Sequence, residues 1–420
     1  MNVTFTTLGA LIGLAIAIIL IIRKISPAYS LIIGALIGGI LGGGGLQGTI
    51  DTMVSGAGSM MSSVLRILTS GILAGALIKT NSAQKIAETI VEKLGEKRAV
   101  AAIAIATMII CAVGVFIDIS VITVAPIALA IGEEAGLSKS GVLLAMVGGG
   151  KAGNIISPNP NTIAVSEAFQ VDLTSVMLKN IIPALCALVV TILLASMLTK
   201  KQGDAITSAD LETGSEAELP SFIQAFVGPL AVILLLALRP LCGISIDPLI
   251  ALPIGGLVCV LATGRGKELI PITEFGLSKV IGVAILLIGT GTIAGIIKAS
   301  ALQTDVTSLL EAMNMPAFVL APLSGILMAG ATASTTAGST VAAQTFSSTL
   351  LDAGVPALSA AAMIHAGATV IDSLPHGSFF HATGGSVYMS IEKRMKLIPY
   401  EALVGLTSTI VATILYLLGF

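Results

Sequence analysis

Gly148-Gly149-Gly150-Lys151-Ala152-Gly153-Asn154-Ile155-Ile156-Ser157-Pro158-Asn159-Pro160-Asn161-Thr162 lies between two long apolar runs, at a depth where lipid admits only regular helix. Pro158 and Pro160 each lack a donor and clash with the preceding turn, so a helix cannot pass through them intact. Broken backbone at membrane depth is tolerated only where protein or a watery cavity covers it. Freed amides and carbonyls, amide side chains and one lysine are the materials of a small-anion site, and the stretch is expected to form half of one.

The surrounding chain makes the membrane reading secure. Of 420 residues, 55% are hydrophobic and only 10% charged, with a mean hydropathy of +1.02. A soluble domain carries roughly a quarter charged residues. The length suffices for about ten spans of ~20 residues. A net charge of −2 without a basic block excludes nucleic acid. Cys111, Cys186, Cys242 and Cys259 stand singly in apolar segments, so they read as packing residues and not as a metal set or disulfide framework. Residues 3–22 precede Arg23-Lys24, the reverse of a cleavable signal, and predict a spanning helix that starts outside the cytoplasm.

Further spans are expected at about 28–46 and 60–78. Residues 83–94 differ: Ile86, Ile90 and Leu94 recur at helical spacing opposite charges, the pattern of an interfacial amphipathic helix. Residues 99–131 are apolar but interrupted at Gly114-Val-Phe-Ile-Asp118-Ile-Ser120, as in a re-entrant hairpin. The broken segment 140–170, a span at 176–198 and a polar linker follow. The pattern then repeats. Ile254-Gly-Gly-Leu answers Ile37-Gly-Gly-Ile, and Ile293-Ala-Gly-Ile-Ile-Lys298 answers Leu73-Ala-Gly-Ala-Leu-Ile-Lys79. A second tip at Gly330 to Gly338 answers the first, and Asp372-Ser-Leu-Pro375-His376-Gly377 answers the Pro158 break.

The expected fold is therefore an all-α polytopic membrane protein of about ten transmembrane helices and two re-entrant hairpins in two inverted repeats, with two broken helices at the site. The first repeat covers 1–200 (scaffold 1–98, hairpin and broken helix 99–199) and a cytoplasmic linker covers 201–220. The second repeat covers 221–420 (scaffold 221–315, hairpin and broken helix 316–420). Of the 21 Lys and Arg residues, this topology leaves Lys179, Arg239, Lys279 and Lys298 on the far side and Arg66 and Lys151 in the membrane. The others fall on cytoplasmic connections, as the positive-inside rule requires. Inverted repeats with paired interruptions are the architecture of secondary transporters.

The substrate-binding candidates of the first break are Lys151, Asn154, Ser157, Asn159, Asn161 and Thr162. Lys151 either holds a carboxylate or pairs structurally with Asp118 or Asp372, since a mid-membrane lysine needs a partner or a task. The second break contributes Ser373, His376 and Ser378, and the hairpin tips contribute Ser334, Thr335 and Thr336, with Ser120, Thr123 and Ser339 nearby. Hydroxyls and helix N-termini suit an anionic, hydroxylated substrate. Asp118, Asp372, His376 and His381 are the candidates for proton or ion coupling; histidine titrates near neutrality. His365, His376 and His381 lack metal-ligand spacing, the glycine runs lack a phosphate-loop context, and no nucleophile elbow surrounds Ser378. No metal, cofactor or enzymatic activity is expected.

Ser157-Pro158-Asn159-Pro160-Asn161-Thr162-Ile-Ala164 and Ala366-Gly-Ala-Thr-Val-Ile-Asp372-Ser373, the latter followed by Phe379-Phe380, resemble the loops of the GntP-type gluconate:proton symporter family. That family lies within the wider ion transporter superfamily. Where it typically carries histidine-proline, this chain has Asn159-Pro160, and a histidine stands in the second loop at His376. The resemblance implies proton-driven uptake of a small hydroxylated carboxylate across the bacterial inner membrane by a homodimer with fixed scaffolds and moving transport domains. Sodium coupling, as in citrate or dicarboxylate carriers, and cation/proton antiport are the alternatives.

Overall fold

The computed structural model describes residues 5–199, 205–207, 210, 218–244, 246–302, 304, 305, 308, 312, 316–375 and 377–420. Most of the linker expected at 201–220 and His376 lie outside the described residues. Among those described, the secondary structure is helical, with isolated bridges such as Phe5 to Ser300.

Helices α1 (Thr7–Ile22) and α2 (Pro27–Gly39) form a close pair. A Cβ at Gly13 would stand 2.6 Å from the Gly34 carbonyl oxygen, and one at Gly38 would stand 2.7 Å from the Gly13 Cα, so only glycine permits this approach. The backbone then widens over residues 40–44, where Gly43 adopts φ +93°. Helix α3 (Gly45–Ser59) follows and meets α4 (Met61–Lys79) at Met60. The sequence predicted no helix between 46 and 60. Gly48, Asp51, Gly56 and Ser59 depress the hydropathy there while leaving the helix intact.

Together α3 and α4 run antiparallel to α14 (Leu269–Lys298). A Cβ at Gly56 would lie 2.2 Å from the Gly291 oxygen, and one at Gly75 would lie 2.7 Å from the Gly276 Cα. Helix α5 (Ser82–Leu94) turns Ile86, Ala87 and Val91 inward, in accord with its amphipathic pattern. Helices α12 (Phe222–Cys242) and α13 (Pro248–Ala262) complete this group against α4 and α5. Lys279, expected on a far-side connection, sits inside α14. Hydropathy averaged over so long an apolar run does not register one lysine.

The remaining helices surround two interruptions. After α6 (Ala99–Ala112), a turn with Gly114 at φ +110° reverses the chain into α7 (Ile117–Glu134). Helix α8 (Lys139–Asn154) stops short and α9 (Pro160–Ala168) resumes beyond the break. The span expected from 176 divides instead into α10 (Leu173–Lys179) and α11 (Ile181–Thr199). The Asn180 amide closes the last turn of α10 on the carbonyls of Val176 and Met177.

The later part of the chain presents α15 (Leu320–Thr332), α16 (Thr335–Asp352) and α17 (Ala357–Gly367). Then come α18 (Ser378–Gly385), α19 (Ile391–Met395) and α20 (Ile398–Leu417). Large apolar side chains such as Leu8, Ile223 and Leu241 remain exposed on the outside, as a lipid-facing surface requires. Among the described residues, five helical segments are long and apolar enough to cross a bilayer, including Ile181–Thr199 and Gly266–Lys298.

Candidate functional site

The first break is an asparagine knot. Asn159 caps α9: its Oδ1 accepts from the amides of Asn161 (2.9 Å) and Thr162 (3.1 Å), while Pro160 occupies the first helical position, where no donor is needed. Its Nδ2 donates back to the Asn154 carbonyl at 2.9 Å and to Asn154 Oδ1 at 2.5 Å. Asn161 Nδ2 also donates to Asn154 Oδ1, at 3.0 Å, and Thr162 Oγ1 donates to the Ser157 carbonyl at 2.7 Å. These bonds satisfy the ends that the two prolines leave open. Asn154 Nδ2, Asn161 Oδ1 and Ser157 Oγ stay buried without a partner.

The second break lies between Gly367 and Ser378, and Lys151 joins it to the first. Its Nζ donates to the Thr369 carbonyl (2.5 Å), to Asp372 Oδ1 (2.6 Å) and to the Glu401 carbonyl (3.4 Å). All three ammonium protons thus have acceptors. Asp372 accepts from Thr335 Oγ1 at 2.6 Å and from Ser373 Oγ at 3.0 Å. Thr335 opens α16, so the carboxylate also lies near a positive helix end. Lys151 and Asp372 are each about 2% exposed, and of the two partners left open for Lys151 the structure selects Asp372.

A cavity of about 880 Å³ opens where these elements meet. Four helix N-termini line it: α7 at Ile117 and Asp118, α9 at Asn161, α16 at Ser334 to Ala337, and α18 at Gly377 and Ser378. Each brings the positive end of a helix dipole, although Asn159 and Ser334 already accept from first-turn amides of α9 and α16. Asn154, Asp372 and His381 also face it. His381 Nε2 donates to the Pro375 carbonyl at 2.8 Å. Lys151, Ser157, Asn159, Thr162 and Ser373 stand behind the wall, where they bond to one another's loops. Ser334 accepts from the Ala337 amide as the α16 cap, and Ser120 donates to the Phe116 carbonyl at 2.9 Å.

Two features escaped the sequence reading. Lys279 of α14 and Lys24 after α1 line the cavity, and an isolated lysine in an apolar run gives no sign of what it faces. Arg394, expected on a cytoplasmic connection, lies on the short helix between α18 and α20 and is buried. It forms an ion pair with Glu401 of α20, donates to Thr383 Oγ1 at 3.2 Å and lies 4.9 Å from the Phe380 ring centroid. The pair fixes α18 to α19 and α20; a lone glutamate in the last apolar run was its one signal. Arg66, left in the membrane by the expected topology, bridges Glu167 at 2.6 Å and Asp247 at 2.6 Å.

A polytopic helical protein whose interrupted helices border an open cavity carrying polar groups belongs to the class of membrane transporters. The chain is a member of the GntP permease family, whose model matches residues 5–419. It is 54% identical over 413 residues to an uncharacterized transporter of Haemophilus influenzae, covering 98% of each chain. It is 24% identical over 340 residues to a high-affinity gluconate transporter of Escherichia coli, covering 74% of this chain and 76% of that one. Its fold resembles the YdaH transporter of Alcanivorax borkumensis with a TM-score of 0.66 and 16% identity, over 90% of this chain and 89% of that one. The protein is thus a permease of the bacterial inner membrane, not an enzyme.

Proposed function

We propose that the protein is a secondary active symporter that takes up a small hydroxylated carboxylate, gluconate or a related sugar or hydroxy acid, together with protons. The observation that carries this reading is the convergence of four helix N-termini on one cavity, which favours an anion without a fixed positive charge at each contact. Asn154, Asn161, Thr335, Thr336 and Ser378 supply amide and hydroxyl groups for the carboxylate and the substrate hydroxyls. Lys151 acts through Asp372, because its own donors are spent. Asp118 and His381 serve as the proton-carrying groups at the cavity surface.

The same proposal includes two inverted repeats, 1–200 and 221–420. It is supported by the matched order of hairpin (α6–α7 and α15–α16), broken helix (α8–α9 and α17–α18) and closing span (α11 and α20). The two hairpins are then re-entrant, residues 1–98 and 221–315 are the scaffold, and the scaffold faces form the homodimer. The match to a gluconate transporter supports the substrate class.

Uptake of labelled gluconate, lactate and citrate by proteoliposomes under imposed proton or sodium gradients tests it. Accumulation of gluconate or lactate driven by an inward proton gradient is the expected result. Accumulation driven by sodium alone, or proton flux coupled to a cation without any carboxylate, would replace this reading.

A further inference from the structure

A second cavity, of about 950 Å³, lies at the C-terminal end of α14, whereas the first borders the middle of that helix. Asp51 and Ser55 of α3, Glu167 at the end of α9, Lys298 of α14, and Gln344 and Ser348 of α16 line it. Helices α14 and α16 are thus common to both cavities, and they pack against one another between them. The lysines of α14 are Lys279 and Lys298, and each lines a different cavity. They are nineteen positions apart in the sequence, roughly 28 Å along a helix rising 1.5 Å per residue, which is about the thickness of the hydrocarbon core.

Their environments set them apart from the other cations of the core. Arg66, Lys151 and Arg394 are committed to carboxylates. Lys279 and Lys298 are exposed to their cavities, and among the described residues neither forms an ion pair. Lys279 rests against the Phe275 ring, 4.9 Å from its centroid, and faces the Asp118 carboxylate across the cavity without a direct ion pair. The charged groups sharing the first cavity with Lys279 are Lys24, Asp118, Asp372 and His381. In the second, Glu167 is already held by Arg66 and Asp51 accepts from Gln47 Nε2 at 2.9 Å.

The surface between the cavities is also polar. Thr336, Thr340, Gln344 and Ser348 recur every fourth residue along α16 and so share one face. Thr340 is fully buried, and its hydroxyl has no partner.

We propose that the seam between α14 and α16 is the route of the anion, with Lys298 and Lys279 as the docking cations at its outer and inner mouths and Thr340 at its waist. This rests on the carboxylate-carrier reading above and adds where the charge is met on each side. A lysine at each mouth concentrates an anion there without trapping it midway, because neither lies at the waist.

Right-side-out and everted membrane vesicles loaded with labelled gluconate or lactate separate the two mouths. Lys298→Gln should raise KM for transport entering from the outer face roughly three- to tenfold and leave the inner-face KM unchanged, with the reverse for Lys279→Gln. Lys→Arg at either position should restore the parent value, and added salt should shrink both effects. Thr340→Val should lower the maximal rate equally in both directions. Parent-like KM values on both faces for both Gln variants, or equal changes on both faces for each, would overturn the proposal. If parent vesicles carry neither carboxylate, the carrier reading itself falls.

Discussion

Nζ of Lys151 lies 2.6 Å from Oδ1 of Asp372, although the two residues are 221 positions apart and both are shielded from solvent. The pair ties one interrupted helix to the other. Removing one partner leaves an uncompensated buried charge, at a cost of roughly 3–5 kcal/mol, whereas removing both together costs far less.

Lys151→Met and Asp372→Asn should each lower thermal stability markedly, and the double variant should recover most of the loss while remaining unable to transport. With exposed Cys242 and half-buried Cys186 replaced by serine in every variant, a thiol-reactive dye in detergent reads this, because Cys111 and Cys259 are buried and react only on unfolding. Equal destabilisation by single and double variants would show that the pair is not the tie.

The Arg394–Glu401 pair gives a related expectation at the other end of α18. Glu401→Gln should cost about 3–5 kcal/mol. Arg394→Lys should also destabilise, because lysine cannot reproduce the two-pronged contact or the stacking on Phe380. Melting of both variants by the same dye assay, compared with a substitution at exposed Glu392, measures it.

Glycine substitutions separate close approach from helix propensity. A Cβ at Gly149 would come within 2.1 Å of the Ala104 oxygen, and one at Gly153 within 2.2 Å of the Met108 oxygen. Alanine at either position forces α6 and α8 apart and should cost at least about 1–3 kcal/mol. Gly58 in α3 has nothing within 4 Å of such a Cβ, so Gly58→Ala should be neutral or stabilise by up to ~1 kcal/mol. Melting temperatures of the three variants give the test.

Outside the membrane, Asp210 accepts from Lys139 Nζ at 2.5 Å and from the Thr207 amide at 2.9 Å. The Lys139 hydrogen bond, with help from Thr207, holds its carboxyl below the ordinary value of 3.8. A lowered carboxyl pKa contributes stability above that ordinary value and loses it as pH falls through the depressed one. Protection of the Ile206 and Thr207 amides, corrected for intrinsic exchange, should therefore hold at pH 7 and fade below the ordinary carboxylate range. Asp210→Asn should lower it at pH 7 by less than about fivefold, as an ion pair at the protein surface is worth under ~1 kcal/mol.

What the sequence disclosed was local chemistry. Pro158 and Pro160 broke α8 from α9, Asn159 capped the second piece, and the charges opposite Ile86 and Ile90 marked α5. What it withheld depended on tertiary choice. Both Asp118 and Asp372 were possible partners for Lys151, and only the packing of α8 against the second break selects between them. Gly48, Asp51 and Gly56 disguised α3, because hydropathy scores the residues and not the neighbour that covers them. Arg394 was read by its charge, although its guanidinium is neutralised and stacked within the protein.

The glycine contacts of α3 and α4 with α14 have a mechanical consequence. Where Gly56 meets Gly291 and Gly75 meets Gly276, main chain touches main chain with no side chain between to give way. Such a joint has no side chain that can change rotamer to absorb a shift, so the helices keep their spacing only while these positions stay glycine. A side chain introduced at Gly56, Gly75, Gly276 or Gly291 would therefore wedge α14 away from both of its partners at once.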